Sequence, residues 1–139
     1  MKATVLDNTT HTTMPLDIRV AVAKGIQSER QWSDLPWDVI VDAMYDATAC
    51  GCTDVYVHDD DGALMGVAHL GELFDIHVGP CAVVMAMYVW PEYRDRGVAK
   101  IILRELKRAA RRAGLRWCGY SHWKRPYVQE YRFIDLEKP

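Results

Sequence analysis

The sequence predicts an α/β (α+β) domain: a central mixed sheet of about six strands, two helices near the N-terminus and one long helix after the fourth strand. Three observations carry this. Asp59-Asp60-Asp61-Gly62 joins two β-prone runs, the stretch "CAVVMAMYV" at 81–89 is almost wholly apolar, and a basic amphipathic stretch follows it before the chain returns to another β-prone run. Aspartates followed by glycine between alternating apolar residues are a hairpin signal. A strand, a helix and a second strand in succession make a parallel crossover unit.

The elements follow in order. "KATVLD" is short, β-branched and bounded by polar residues, as a first strand should be. In "TTMPLDIRVAVAKGIQSERQW", Thr12 or Thr13 can cap, Pro15 suits a first turn, and Ile18, Val22 and Ile26 recur at helical spacing. In "SDLPWDVIVDAMYDATACG", Ser33 or Asp34 can cap, Trp37, Ile40, Val41, Met44 and Thr48 share a face, and Gly51 ends the helix. The hairpin "DVYVHDDDGALMGVAHL" supplies the second and third strands, and its aspartates read as a solvated turn. "GELFDIHVGP", rich in glycine and polar residues, reads as a loop, and residues 81–89 as a strand buried on both faces. From Val98 to Ala113, Val98, Ile101, Ile102, Leu106, Ala109, Ala110 and Ala113 share one side, with Lys and Arg mostly on the other and Gly114 closing the helix. "LRWCGYS" is the next strand, and "PYVQEYRFIDLE" alternates as a last one, with a short helical turn near Tyr127 as its alternative.

At 139 residues the chain fits one domain, 1–139, able to bury roughly two-thirds of its unfolded surface. No apolar run approaches the roughly 18 residues of a membrane helix, and "MKATVLDNTTHTTMPLD" has no hydrophobic signal core, so the expectation is a cytoplasmic protein without membrane contact. Cys50, Cys52, Cys81 and Cys118 lack the C-x-x-C spacing of a zinc site and read as reduced thiols, and no metal is expected. Charge is divided sharply: residues 1–91 hold 4 Lys/Arg against 13 Asp/Glu, and residues 92–139 hold 13 against 6. An anion belongs in the basic third.

The junction "YVWPEYRDRGVAKIIL" sharpens that point. A strand that feeds a helix presents the first N–H groups of the helix, which have no intrahelical partner, to whatever sits at its mouth. Gly97 lets the backbone approach such a ligand, and Arg94 and Arg96 supply charge for a diphosphate. The segment from Val89 to Ala99 closely resembles the acetyl-CoA-binding motif of the GCN5-related N-acetyltransferases, written Arg/Gln-x-x-Gly-x-Gly/Ala after a V-x-P-like strand end. The hairpin, Gly114 and the order of the first two helices extend the likeness over most of residues 1–121.

That resemblance implies an acetyl-CoA-dependent N-acetyltransferase acting on a primary amine of a protein or small molecule. Its cofactor residues would be Met87, Tyr88 and Val89 along the pantetheine arm, and Arg94, Asp95, Arg96, Gly97, Val98, Ala99 and Lys100 around the pyrophosphate. The fourth and fifth strands would splay to admit the thioester. His122 would take the amine's proton through water, and Tyr127 or Tyr131 would give one to the departing thiolate. His69, Glu72, Asp75 and His77 sit in or beside the expected loop and could shape the acceptor site. Only 18 residues follow Ser121, a shortened C-terminal end that lacks the Asn-containing turn introducing the family's usual tyrosine. In this the chain resembles compact members encoded by bacteriophages, acting on host proteins in the host cytoplasm. Two other functions are compatible with the sequence: an inactive binding or virion-associated protein of the same fold, and a nucleic-acid surface on the basic helix 100–112. A homodimer is left open.

Overall fold

The computed structural model describes residues 1–8, 14–29, 34–47, 52–125 and 128–138. Its elements are β1 (Lys2–Asn8), α1 (Leu16–Glu29), α2 (Trp37–Ala47), β2 (Cys52–His58), β3 (Leu64–Asp75), β4 (Gly79–Val89), α3 (Val98–Arg112), β5 (Trp117–Arg125) and β6 (Val128–Asp135), with a 3₁₀ turn at Pro91–Tyr93. The six strands form one sheet in the order β1-β2-β3-β4-β5-β6. Every neighbouring pair is antiparallel except β4 and β5, the two strands that α3 connects.

Strand alternation divides the core between two faces. Val55, Val57, Ala68, Leu70, Ala82 and Cys118 meet Val98, Ile102, Leu106 and Ala110 of α3, which recur every fourth residue as one stripe. Tyr56, Val67 and Tyr88 point the other way, toward Met14 and Val22 at the start of the chain. α2 packs on α1 through Ile40 and Val41 against Ala23. Trp37, expected on that buried face, is instead 38% exposed, with the Lys24 ammonium 4.8 Å above its ring. The caps expected at Thr12, Thr13 and Ser33, the end at Gly51, and Cys50 lie outside the described residues. Cys81 and Cys118 are buried free thiols.

The aspartate-rich hairpin turn forms from its own hydrogen bonds. Asp59 Oδ1 accepts from the N–H groups of Asp61 (2.9 Å) and Ala63 (2.8 Å), and Gly62 takes the left-handed φ of 87°. Two readings of the next segment need correction. The expected loop at 71–80 is mostly strand: β3 continues to Asp75 and turns through Ile76–Val78, so the glycine there serves packing. A Cβ on Gly71 would stand 2.9 Å from Met85 Cγ. β4, expected to be buried on both faces, is so only over Cys81–Val83, while Met85 and Met87 are 36% and 44% exposed.

Both features trace to β4. Opposite His69 and Leu70 stand Ala86 and Val84, leaving Met85 as an extra residue, a β-bulge that bends the strand. Its other edge touches β5 at three positions only, Cys81↔Trp117, Ala82↔Cys118 and Val83↔Gly119. Beyond Val83 the two parallel strands part. Across the gap, β5 and β6 stay together, and Arg116 grips Asp135 with two bonds of 3.0 and 2.9 Å.

Gly25 fixes the approach of α1 to this strand. A Cβ there would stand 2.2 Å from Tyr88 Oη and 2.6 Å from Cζ, and the Tyr88 ring is buried. Gly25→Ala should therefore lower the denaturant midpoint by an amount equivalent to about 1–3 kcal/mol, as overpacking does, despite alanine's better helix propensity. A stabilised Gly25→Ala protein would show that α1 packs differently.

Candidate active site at the parting of β4 and β5

After Val89 the chain makes its 3₁₀ turn and then a tight reversal in which Asp95 (φ 60°) and Gly97 (φ 87°) are both left-handed. Gly97 is the N-cap of α3. It has no side chain to cap with, and the first turn of the helix carries no acid. The leading N–H groups of α3 consequently face outward, and the helix dipole adds positive potential there. At its other end α3 closes with Leu115 N–H on Ala110 O (2.9 Å) and Gly114 N–H on Arg111 O (3.1 Å), a Schellman cap with Gly114 at φ 70°. Gly66 brings β3 close to this helix start, since a Cβ there would lie 2.8 Å from Val98 Cγ1.

The open edge of β4 has a definite polarity. Trp90 N–H bonds to Met65 O on β3 at 3.1 Å. Because N–H groups alternate along a strand, Tyr88 also faces β3, whereas Met87 and Val89 turn their peptide groups toward the gap. Arg94 Nε takes the Val89 carbonyl at 3.1 Å, and its terminal nitrogen meets Glu29 of α1 at 2.6 Å. The Glu29 carboxylate holds the Arg94 proton more firmly than usual. Arg94 thus ties β4 to α1, with its guanidinium 5.8 Å from the Tyr88 ring centre. Arg96 lies 5.6 Å over the Tyr93 ring, and Asp95, Arg96, Ala99 and Lys100 are exposed around the α3 start. The Tyr88 side chain is buried under Gly25, edge-on to Trp90 at 5.4 Å, and burial pushes its phenol pKa up.

The expected proton-transfer residues are distributed unevenly. Tyr131 of β6 leans over Gly119, where β5 leaves β4, and a Cβ on Gly119 would be 2.8 Å from its ring. Burial, then the nearby Cys81 and Asp75, pushes the Tyr131 phenol up, so it stays protonated at ordinary pH. His122 is exposed on β5 and, by alternation, projects from the face opposite Gly119. Tyr127 lies outside the described residues. Glu72 and Asp75 are on the far half of β3 and His77 is in the turn, where its N–H reaches Asp75 Oδ1 at 2.7 Å and holds that carboxyl below its usual range.

His69, expected near a loop, stands instead in the middle of β3, 1% exposed, with Nδ1 2.7 Å from Oδ1 of fully buried Asp54. Sequence reasoning missed this pair, although each member interrupts an apolar strand. A cavity of about 40 Å³ opens on the same face of the sheet, between Val22 and Ile26 of α1 and Val67, Ala86, Met87 and Tyr88. On the outer helix, Arg104 and Arg108 close on buried Glu105 and Arg112 lies 3.7 Å from Asp7, so part of the basic row is engaged internally. Among the described residues no helix is long and apolar enough to cross a membrane, and no His/Cys/Asp/Glu group is arranged to hold a metal.

The profile of the acetyltransferase (GNAT) family matches residues 21–125. The chain belongs to that family. No curated protein matches it in sequence. Among solved structures, the GNAT chain resembles a Pyrococcus furiosus protein described as an acetyl transferase, with TM-score 0.68 and 14% identity over 99% of both chains. It also resembles the ribosomal-protein-alanine N-acetyltransferase of Brucella melitensis biovar Abortus 2308, with TM-score 0.60 and 19% identity over 91% of this chain and 83% of that one. A third is AAC(6')-Iy in complex with the bisubstrate analogue CoA-S-monomethyl-acetylneamine, with TM-score 0.62 and 18% identity over 89% and 82%. At these identities the likeness is one of fold.

Proposed function

We propose that this GNAT chain transfers the acetyl group of acetyl-CoA to a primary amine. The observation that carries the proposal is the uncapped, left-handed Gly97 opening α3 directly beside the gap between β4 and β5. In this reading the N–H groups at the start of α3 and the Arg96 and Lys100 side chains hold the pyrophosphate, within the loop from Arg94 to Lys100. Arg94 acts by fixing the end of β4, since its guanidinium is bound to Glu29 and Val89.

The pantetheine arm would lie along Met87 and Val89, whose peptide groups face the gap, with Tyr88 as the buried anchor between them. A β4 N–H turned that way is placed to polarise the thioester carbonyl and stabilise the oxyanion as the amine attacks. The new C–N bond forms, the C–S bond breaks, and the thiolate leaves with a proton from Tyr131. The fit is supported by the position of Gly119, which leaves room for that ring at the mouth of the gap.

Calorimetry with acetyl-CoA tests the reading. The unaltered protein should bind, and an Arg96→Glu, Gly97→Glu double variant should not. Absence of heat with the unaltered protein at millimolar acetyl-CoA would end the proposal. Thiol release with an alanine-starting peptide, neamine, glucosamine and glutamate, amines taken from the acceptors of related structures, would then narrow the acceptor class.

A further inference from the structure

The Asp54–His69 pair is not used by the reaction just outlined, although both side chains are buried within the sheet. With Asp54 ionised, its carboxylate only accepts hydrogen bonds, and the 2.7 Å contact then places the proton on His69 Nδ1. In the neutral ring this leaves a lone pair on Nε2. That atom is buried and has no hydrogen-bond partner among the described residues. Buried polar atoms left in this state are rare and call for an explanation.

Its direction supplies one. The two ring nitrogens diverge widely, so a ring whose Nδ1 faces Asp54 on β2 turns Nε2 away from β2, off the sheet toward α1 and over the β4 side. There His69 stands across from Ala86, beside the bulged Met85. Ala86 and Val67, the latter two residues back on the same face, line the cavity beneath α1. Among the described residues, the groups on this face beside the imidazole are Asp54 and the Tyr56 phenol from β2, and Val83, Met85, Ala86 and the Tyr88 phenol from β4. From α1 the packed residues are apolar: its charged Asp17 is exposed, and Arg19, Lys24 and Glu29 are engaged by Tyr45, Trp37 and Arg94.

We infer that His69, oriented by Asp54, receives the proton that the acceptor ammonium must lose, through a water standing between Ala86 and the gap. This rests on the acetyltransferase reading above. The proton moves from the ammonium to the water, and a proton of that water moves to Nε2. The resulting imidazolium is stabilised by the Asp54 carboxylate, and the freed amine attacks the thioester. His69 is therefore a positioning and proton-holding residue acting through solvent, and exposed His122 is not needed for this step.

The test combines two readouts. Nitrogen NMR of ¹⁵N-histidine-labelled wild-type protein should show His69 with its proton on Nδ1 and a lone pair on Nε2, and Nε2 should gain a proton on acidification while the fold persists. Thiol release from acetyl-CoA with the four-amine mixture should fall at acid pH in step with that titration. His69→Gln should bind acetyl-CoA within about twofold of wild type yet react about tenfold or more slowly, without the acid limb. Asp54→Asn should also react slowly with its acetyl-CoA affinity retained.

A proton on Nε2 in the neutral ring, an Nε2 that never gains one while the protein is folded, or an unchanged acid limb in His69→Gln would overturn the inference. So would wild-type turnover no faster than that of His69→Gln when acetyl-CoA binds normally. Failure of wild type to bind acetyl-CoA would instead remove the underlying reading, and the inference with it. The NMR result does not depend on the variants folding.

Discussion

Gly97→Val is expected to weaken acetyl-CoA binding by about 100-fold. Gly97 sits at φ 87°, where a β-branched residue is strained by about 1–3 kcal/mol, and the strain is relieved by rotating the peptide that leads into α3. Rotation would turn the first N–H groups of the helix away from the proposed pyrophosphate site. A hydrogen bond to a charged group contributes about 1.5–3 kcal/mol, so losing one or two accounts for a factor of that size. Calorimetry reads the loss directly. Gly62→Val is the control: Gly62 has the same φ of 87° in the β2–β3 turn, so it should cost comparable stability and leave affinity unchanged. Equal weakening by both variants would show that general loosening, and not the cradle, governs binding.

Leu106→Ala is expected to have the largest effect on stability. Leu106 is fully buried between α3 and the sheet, among Val57, Leu70, Ile102 and Cys118. Deleting its side chain removes transfer free energy and leaves a cavity, about 2–5 kcal/mol together, from a total of about 5–15 for a domain. At about 4 °C per kcal/mol, the thermal midpoint should lie about 8–20 °C lower. Ile102→Val, one turn earlier and equally buried, should cost only about 0.5–1.5 kcal/mol. Comparable losses from the two would mean that α3 does not seat its stripe as described. Because α3 carries the loop at Gly97, saturating acetyl-CoA should recover part of the lost stability by mass action.

The parts of this fold that were legible in the sequence are those in which each residue's environment is local. Val98, Ile102, Leu106 and Ala110 mark α3 by spacing alone, Gly114 marks its end, and Asp59 with Gly62 marks a hairpin whose turn is built from its own side chain. The loop at Gly97 was legible for the same reason, since strand end, reversal and helix start are contiguous. What stayed hidden depends on residues far apart in the chain. Gly71 looked like a loop residue because nothing nearby in sequence shows that Met85 must pass over it. Arg94 looked like a phosphate ligand because Glu29, its partner at 2.6 Å, is 65 residues away. The bulge at Met85 and the exposure of Met87 follow from how β4 is matched on both sides, which one strand's pattern does not record. The Asp54–His69 pair needs the β2–β3 register to bring its members face to face, and only that register shows two polar interruptions to be one unit.

The seam between β4 and β5 is three residue pairs long, and the chain's other route across it is the α3 crossover. The β5–β6 hairpin is therefore joined to the rest of the sheet by a short seam and by the core that Cys118 and Ile134 share with α3, and it is braced internally by Arg116 and Asp135. Beyond Val83, no strand pairing among the described residues fixes the width of the opening between the two halves. In the proposed reaction, the bulk of amine admitted would then be set by the side chains at the rim and not by the ladder.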